Sequence, residues 1–217
     1  MKPPAKDGIL LPRLAASLPP ADLPTLADRA EMSQVRLSGA DFSAAQAADV
    51  TLDGVHLKRV MLLQTHLERL RLFDCRLEGC EGSGAAWEKA RLRRVELANC
   101  RLLGISLMEA SFEDVRFSAC GLEGATFAFC TFKAVRFESC NLRQASFEGA
   151  SLAGAVFDQC DLGEADLRGA VLTGADFSTA RIDGMKIGPG EIQGAIISAT
   201  QAIQVVGLLG VKVKTGL

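Results

Sequence analysis

From Val35 to Ala199 every fifth residue is a large apolar side chain, and the register never slips. Stepping by five from Leu37 to Ile197 visits 33 positions: 17 Leu, nine Phe, four Ile and three exceptions, Ala47, Gly82 and Trp87. Two residues before each of these centres sits a small or apolar residue, chiefly Ala, Val or Cys. The exceptions are Thr65, Leu70, Ile105, Met185 and Gly190. All seven cysteines fall in this one register of the five. A period of five fits neither a helix of 3.6 residues per turn nor a flat strand of two, so each pentapeptide must contain a bend that resets the inward direction. The chain therefore coils, and a repeat this strict fixes the fold.

Blocks such as Ala-Asp-Phe-Ser-Ala (40–44), Cys-Asn-Leu-Arg-Gln (140–144), Ala-Asp-Leu-Arg-Gly (165–169) and Ala-Asp-Phe-Ser-Thr (175–179) resemble the pentapeptide-repeat family. The resemblance implies an all-β fold: a right-handed, four-sided parallel β-helix with one pentapeptide per side and 20 residues per coil. Central Leu or Phe and the small residue both point inward. Counting from Val35 gives about eight coils, and at the ~4.8 Å spacing of paired strands they make a rod of roughly 38 Å. We divide the chain into an N-terminal arm with a short helical cap (1–34), the β-helix (35–199), and a C-terminal helix and strand cap (200–217).

The net charge is −2, so the total implies neither a generic nucleic-acid surface nor a strongly acidic, DNA-like one. Seven cysteines at interior positions, an odd number, read as reduced thiols. The apolar run 8–11 is cut by Pro12 and Arg13, and 202–211 is about half the ~20 residues that cross a bilayer. A cytoplasmic protein without a membrane partner is expected. Six of the seven prolines lie within the first 24 residues, so 1–20 reads as an extended arm packed on the first coils, with a short helix over about 22–30. Such a segment covers the open end of a solenoid.

Reading each side as a column places Cys80, Cys100, Cys120, Cys140 and Cys160 on successive coils. They suit a narrow apolar interior as compact filler better than a metal or redox ladder, because no His or carboxylate shares the column. Gly82 and Trp87 read as a volume exchange in which the indole fills the space the glycine leaves. The two histidines, His56 and His66, fall on opposite sides of one coil, and no phosphate-binding glycine motif occurs. A coil filled by Leu, Phe, Ala and Cys has no cleft, so neither catalysis, metal nor cofactor is expected.

Function must then lie in the outward residues. Segment 55–94 carries nine basic and five acidic residues, and 146–194 three basic and eight acidic, so the rod is electrically polar. Arg36, His56, Arg76, Arg116 and Arg136 form a basic column on side one, and Arg91, Arg93 and Arg94 add charge on side four. The candidate acidic patch is Asp158, Asp161, Glu164, Asp166, Asp176 and Asp183. The candidate apolar contact is Met61, Leu63 and Leu103, with Met108 and Phe129 on side three and Phe73 on side four. Ser198 and Gln201 form a capping-box pattern opening a helix over 199–209, followed by a half-buried strand over 211–214. That helix, through Ile203, Val205, Val206, Leu208 and Leu209, either lids a monomer or joins two chains about a twofold axis. The leading reading is a non-catalytic protein-interaction scaffold. The family resemblance implies an alternative, because some members of this size are dimeric rods that mimic DNA, bind DNA gyrase or topoisomerase IV, and protect against quinolones or toxins. Near-neutral charge and the absence of an inserted loop set this sequence apart from that group.

Overall fold

In the computed structural model, which describes residues 8–21, 26–208 and 210–212, the repeat winds into a four-sided parallel β-solenoid. Strands pair at a constant offset of 20 residues, from Glu31↔Thr51 at one end to Asp176↔Ile196 at the other. We number the sides by their centres: side one carries Leu37, Leu57 and so on, side two Phe42, side three Ala47, side four Leu52. Most strands are three residues long. Three of eight residues, Arg91–Ala98, Ser111–Ser118 and Thr131–Glu138, run unbroken round the corner from side four to side one. The repeat starts one pentapeptide before Val35, because Glu31–Ser33 already pairs with Thr51–Asp53 and Met32 packs against the core. On side four the ladder runs from Glu31 to Val171, and 188–194 turns instead of pairing, so the last coil is left open on that side.

The bend required by the period is a single backbone conformation. Two residues after nearly every centre the chain adopts positive φ, from Arg29 (59°) to Gly194 (79°). Twelve of these corners between Gly39 and Gly194 use glycine, which meets no steric cost there. Others use polar or charged residues or Ala, and one, at Phe129 (58°), a bulky aromatic.

Inside, the centres stack at the strand spacing. Phe117 lies on Phe137 with centroids 4.7 Å apart and planes 8° apart, and Phe137 lies on Phe157 at 5.0 Å and 2°. Rings on neighbouring sides meet edge to face, as Phe127 and Phe137 do at 79°. Both geometries suit the aromatic quadrupole. The cysteines are free and buried, and six of the seven thiols donate to carbonyls of the coil below, as Cys120 does to Leu97 (3.4 Å) and Cys140 to Phe117 (3.5 Å), while Cys160 donates to Asp158 O (3.5 Å).

One core expectation is corrected. The space at Gly82 belongs to Leu102 of the next coil, whose Cδ2 lies 2.9 Å from where a Cβ would stand; no indole atom comes as near. Trp87 is placed instead by a hydrogen bond to Thr65.

The ends are closed differently. Over 26–30 the chain makes a turn at Asp28–Arg29 where a helix is expected, and 22–25 lie outside the described residues. The arm runs back along the corner between sides four and one. It leaves the first coil where Pro19 O accepts from Arg36 N–H (2.9 Å) and passes Asp74, which accepts from Arg13 N–H (2.9 Å). It then reaches Asp114, which accepts from Leu10 N–H (3.2 Å), four coils up. At the other end the helix Ala199–Leu208 carries the expected capping box: Ser198 N–H donates to Gln201 Oε1 (2.7 Å) and Gln201 N–H to Ser198 Oγ (3.3 Å). Gly210 (φ 78°) and the bond from Val211 N–H to Val206 O close its C-terminus. No strand occupies 211–212, and 213–214 lie outside the described residues, as do Leu209 and the side chain of Leu208.

Candidate interaction surface

Every outward column has a fixed register, so charges one coil apart meet. On side one the basic column is threaded with carboxylates. His56 Nε2 stands 3.3 Å from Glu78, Arg76 reaches Glu96 at 3.4 Å, and Arg136 bonds Glu138 (2.7 Å) and Asp158 (2.6 Å). From His56 upward the basic residues of the column are met by carboxylates within it. His66, on side three, meets the Gln64 carbonyl at 3.2 Å and lies on the opposite side of the coil from His56.

The acidic candidates are spread over three sides and are already partnered. Asp158 accepts from Arg136 and Thr179, Asp161 from Arg181 (3.2 Å), and Glu164 from Arg143 (2.9 Å) and Gln144 (2.9 Å). Asp183 meets Arg181 (3.3 Å) and Gln204 (3.1 Å), while Asp176 accepts from Ser178 N–H (2.9 Å). Arg168 beside Asp166 on side three holds that carboxyl below the usual range. Met61, Leu63 and Leu103 share side two but are half-buried, and the bonded pair Glu81–Ser83 (2.6 Å) sits between the leucines. Of the C-terminal candidates, Val205 is buried in the lid, Val206 is half-buried, and Ile203 is 57% exposed.

Side four is different because its two halves are unlike. In the lower coils Arg71 stacks on Arg91 and Phe73 on Arg93, with Lys89 on the adjoining corner. Like charges in direct register are unfavourable, and among the described residues Arg71 and Arg93 have carboxylate partners, at 3.5 and 3.4 Å, while Arg91 and Lys89 have none. Arg94, grouped with these by sequence, turns to the other corner and forks onto Asp74. Burial pushes the Asp74 carboxyl up, but Arg94 and the Arg13 amide outweigh it and the net shift is downward.

In the upper coils side four presents Thr131, Ser151 and Val171 in one column and Ala153 and Thr173 in the other, with corners of Ala134, Gly154 and Gly174 on one edge and Gly149 and Gly169 on the other. On this smooth ground Phe129 is 58% exposed and Val171 52% exposed. The Phe129 ring lies over Gly149, where a Cβ would stand 2.7 Å from it. Phe129 thus carries two penalties, exposure and a left-handed backbone that glycine occupies on the next two coils. Val171 was not singled out from sequence, although a β-branched residue at an outward position was the available signal.

Among the described residues no group of three or more His, Cys, Asp or Glu side chains is placed to hold a metal ion. A void of about 20 Å³ lies among Phe42, Leu62, Leu67, Leu77 and Trp87, with room for about one water and no polar group to hold it. Burial pushes the Cys75 and Cys130 thiols up to about 12, so neither is a thiolate at neutral pH.

The family model described as the pentapeptide repeat region matches residues 70–147, 90–167 and 110–187, which together span more than half of the chain. The chain belongs to the pentapeptide-repeat family. It is similar to HetL, a pentapeptide repeat protein involved in heterocyst differentiation regulation from the cyanobacterium Nostoc sp. strain PCC 7120. That match has 23% identity over 79% of this chain and 84% of HetL, with a TM-score of 0.48. A trypsin-treated variant of QnrB1, a plasmid-mediated fluoroquinolone resistance protein, is 20% identical over 87% of this chain and 98% of its own, with a TM-score of 0.44. Rfr23 from the cyanobacterium Cyanothece 51142 is 24% identical over 50% of this chain and 64% of its own, at a TM-score of 0.30. No curated protein matches the sequence.

Proposed function

We propose that this pentapeptide-repeat rod is a non-catalytic scaffold that binds a protein partner through side four. Phe129 carries the reading. An aromatic ring held in solvent, at a corner where glycine would relieve both its strain and its exposure, is unfavourable for the isolated chain and favourable only in a contact. Arg91 and Lys89, which have no carboxylate partner among the described residues, lie on the same face and give that contact a basic flank. The filled core supports a binding role over a catalytic one, since it leaves nowhere for a substrate to converge on several groups. No helix of the described residues is long and apolar enough to cross a membrane.

The topoisomerase reading requires a row of carboxylates free to imitate phosphates. Pairing of Asp158, Asp161, Glu164, Asp166 and Asp183 with arginine weighs against it. The test is a photo-crosslinking residue at position 129, with one at Glu123 on side two as control. Discrete protein adducts from 129 and none from 123 are expected. Adducts from 123 alone, or inhibition of gyrase supercoiling by the purified protein that survives F129G, would overturn the proposal.

A further inference from the structure

The basic charge of side four is crowded into two consecutive coils, and the carboxylates near it are shared. Asp49 takes a fork from Arg69 as well as Arg71 at 3.5 Å, and Glu113 holds Lys133 at 2.8 Å as well as Arg93 at 3.4 Å. Arg91, in direct register with Arg71, and Lys89 beside it have no carboxylate partner among the described residues. One coil higher the sign changes, with Glu109 on the corner and Glu113 on the face. Above that level the ground is low, and the large apolar side chains exposed on it are Phe129 and Val171.

These features are evenly spaced. Lys89 and Phe129 hold the same corner position two coils apart, at φ 57° and 58°, and Val171 stands beside that corner two coils higher still. At the ~4.8 Å spacing of paired strands, each step is about 10 Å. A chain in the polyproline II conformation rises ~9.3 Å over three residues and returns every third side chain to the same face.

We infer that the partner of side four is an extended peptide segment, acidic at one end and apolar at the other, that lies along the rod. Its carboxylate meets Lys89 and Arg91, and its apolar side chains three and six residues away meet Phe129 and Val171. The inference rests on the reading of side four as the contact face. A carboxylate at that place supplies the opposite charge that the Arg71–Arg91 stack lacks, and the change of sign at Glu109 fixes which way the segment runs. Ser151, Ala153 and Gly169 are small enough for its backbone to come close. A nucleic-acid strand fits less well. Its phosphates recur along the whole length and would meet Glu109 and Glu113 between the arginines and the ring.

The test selects binders from a random dodecapeptide phage library on the purified full-length chain. Selected sequences should carry an acidic residue with an apolar one three positions away, and synthetic copies should bind less tightly as salt rises. For these copies K89E/R91E should weaken binding ~10–100-fold and F129G ~10-fold or more, with I203S unchanged. Copies with Lys in place of the acidic residue should regain affinity for K89E/R91E, which a damaged fold would not allow. Selected sequences without this pattern, a selection that enriches nothing, equal binding by K89E/R91E, or tighter binding of a single-stranded oligothymidylate overturns the inference. If any of these comes while a crosslinker at 129 still yields protein adducts, only the acidic partner fails. If 129 yields none, the side-four reading fails with it.

Discussion

Trp87 Nε1 donates to Thr65 Oγ1 at 2.9 Å, and that hydroxyl donates in turn to Leu62 O at 3.0 Å. Both residues break the repeat, Trp87 as a centre and Thr65 as a small position, and the core makes them a pair 22 residues apart. Neither is tolerable alone, because a buried indole N–H needs an acceptor and a buried hydroxyl needs a partner. Thr65→Val keeps the shape and strands the indole, and should lower stability by about 1–3 kcal/mol in urea melts. Thr65→Ser should stay close to the parent, and equal losses for both would show that the methyl, not the hydroxyl, matters.

The stacked centres make the core intolerant of truncation. Phe137 is sandwiched between Phe117 and Phe157 and met edge-on by Phe127 and Phe147. Because coils above and below are held by continuous ladders, the walls cannot collapse into a void. Phe137→Ala should therefore cost ~3–5 kcal/mol, and a loss below about 1 kcal/mol would contradict the packing.

How much of this was legible depends on the distance over which a residue acts. The period marked the inward positions from Leu37 to Ile187 because inward direction repeats locally, and the Ser198–Gln201 box was readable because its partners are three residues apart. The arm's route was not readable, since it depends on Asp74 and Asp114, 61 and 104 residues from the amides they hold. The neutralised acidic patch lay between these cases. Once coils are numbered, Arg136 to Asp158 and Asp161 to Arg181 are offsets of 22 and 20, so a column-by-column reading would have paired them. Gly82 misled because volume alone was balanced against Trp87, when the space beneath a side chain in a solenoid belongs to the neighbouring coil.

Asp74 joins the arm to the rod through Arg13 N–H while holding Arg94 by two bonds, and only 9% of the residue is exposed. Its folded pKa is depressed, so its contribution is present above the ordinary carboxylate value of ~3.9 and is lost as pH falls through the lower folded value. Asp74→Asn should cost about 2 kcal/mol at neutral pH, by weakening an arginine that is largely buried. It should also speed tryptic cleavage after Arg13. Unchanged cleavage would mean that Ile9 and the Pro19–Arg36 pairing hold the arm without the carboxylate.

The cysteine column should be chemically silent. Neighbouring thiols push Cys120 up and Cys100 and Cys140 down, but every thiol of the column is buried and donates to a backbone carbonyl, so a reagent does not reach it. Native protein at pH 8 should react slowly with a thiol reagent and completely after unfolding; rapid labelling of most of the seven in the folded state would show that the column opens.

Gln201 should decide how well the last coil is closed. In each coil below, the carbonyl at the head of side two accepts from the backbone 21 residues on: Cys140 O from Asp161 N–H, Cys160 O from Arg181 N–H. The next in the series, Ala180 O, would be orphaned, because residue 201 has entered a helix and its N–H is spent on Ser198 Oγ. The side chain of that same residue takes over: Gln201 Nε2 donates to Ala180 O and Phe177 O, both at 2.7 Å. One amide thus caps the helix through its oxygen and the solenoid through its nitrogen. Gln201→Leu keeps the bulk but leaves Ala180 O and the Ser198 amide without the partner Gln201 supplies, while Phe177 O keeps only the Ala180 N–H (2.8 Å), at about 1–3 kcal/mol for each group that stays dry. Glu fares no better than Leu on the solenoid side, because an ionised carboxylate can cap Ser198 but cannot donate. Hydrogen exchange should therefore show the last coil, 175–197, losing protection in both Gln201→Leu and Gln201→Glu while 95–154 stays protected. Protection retained in Gln201→Glu would mean that the helix cap alone holds the lid in place.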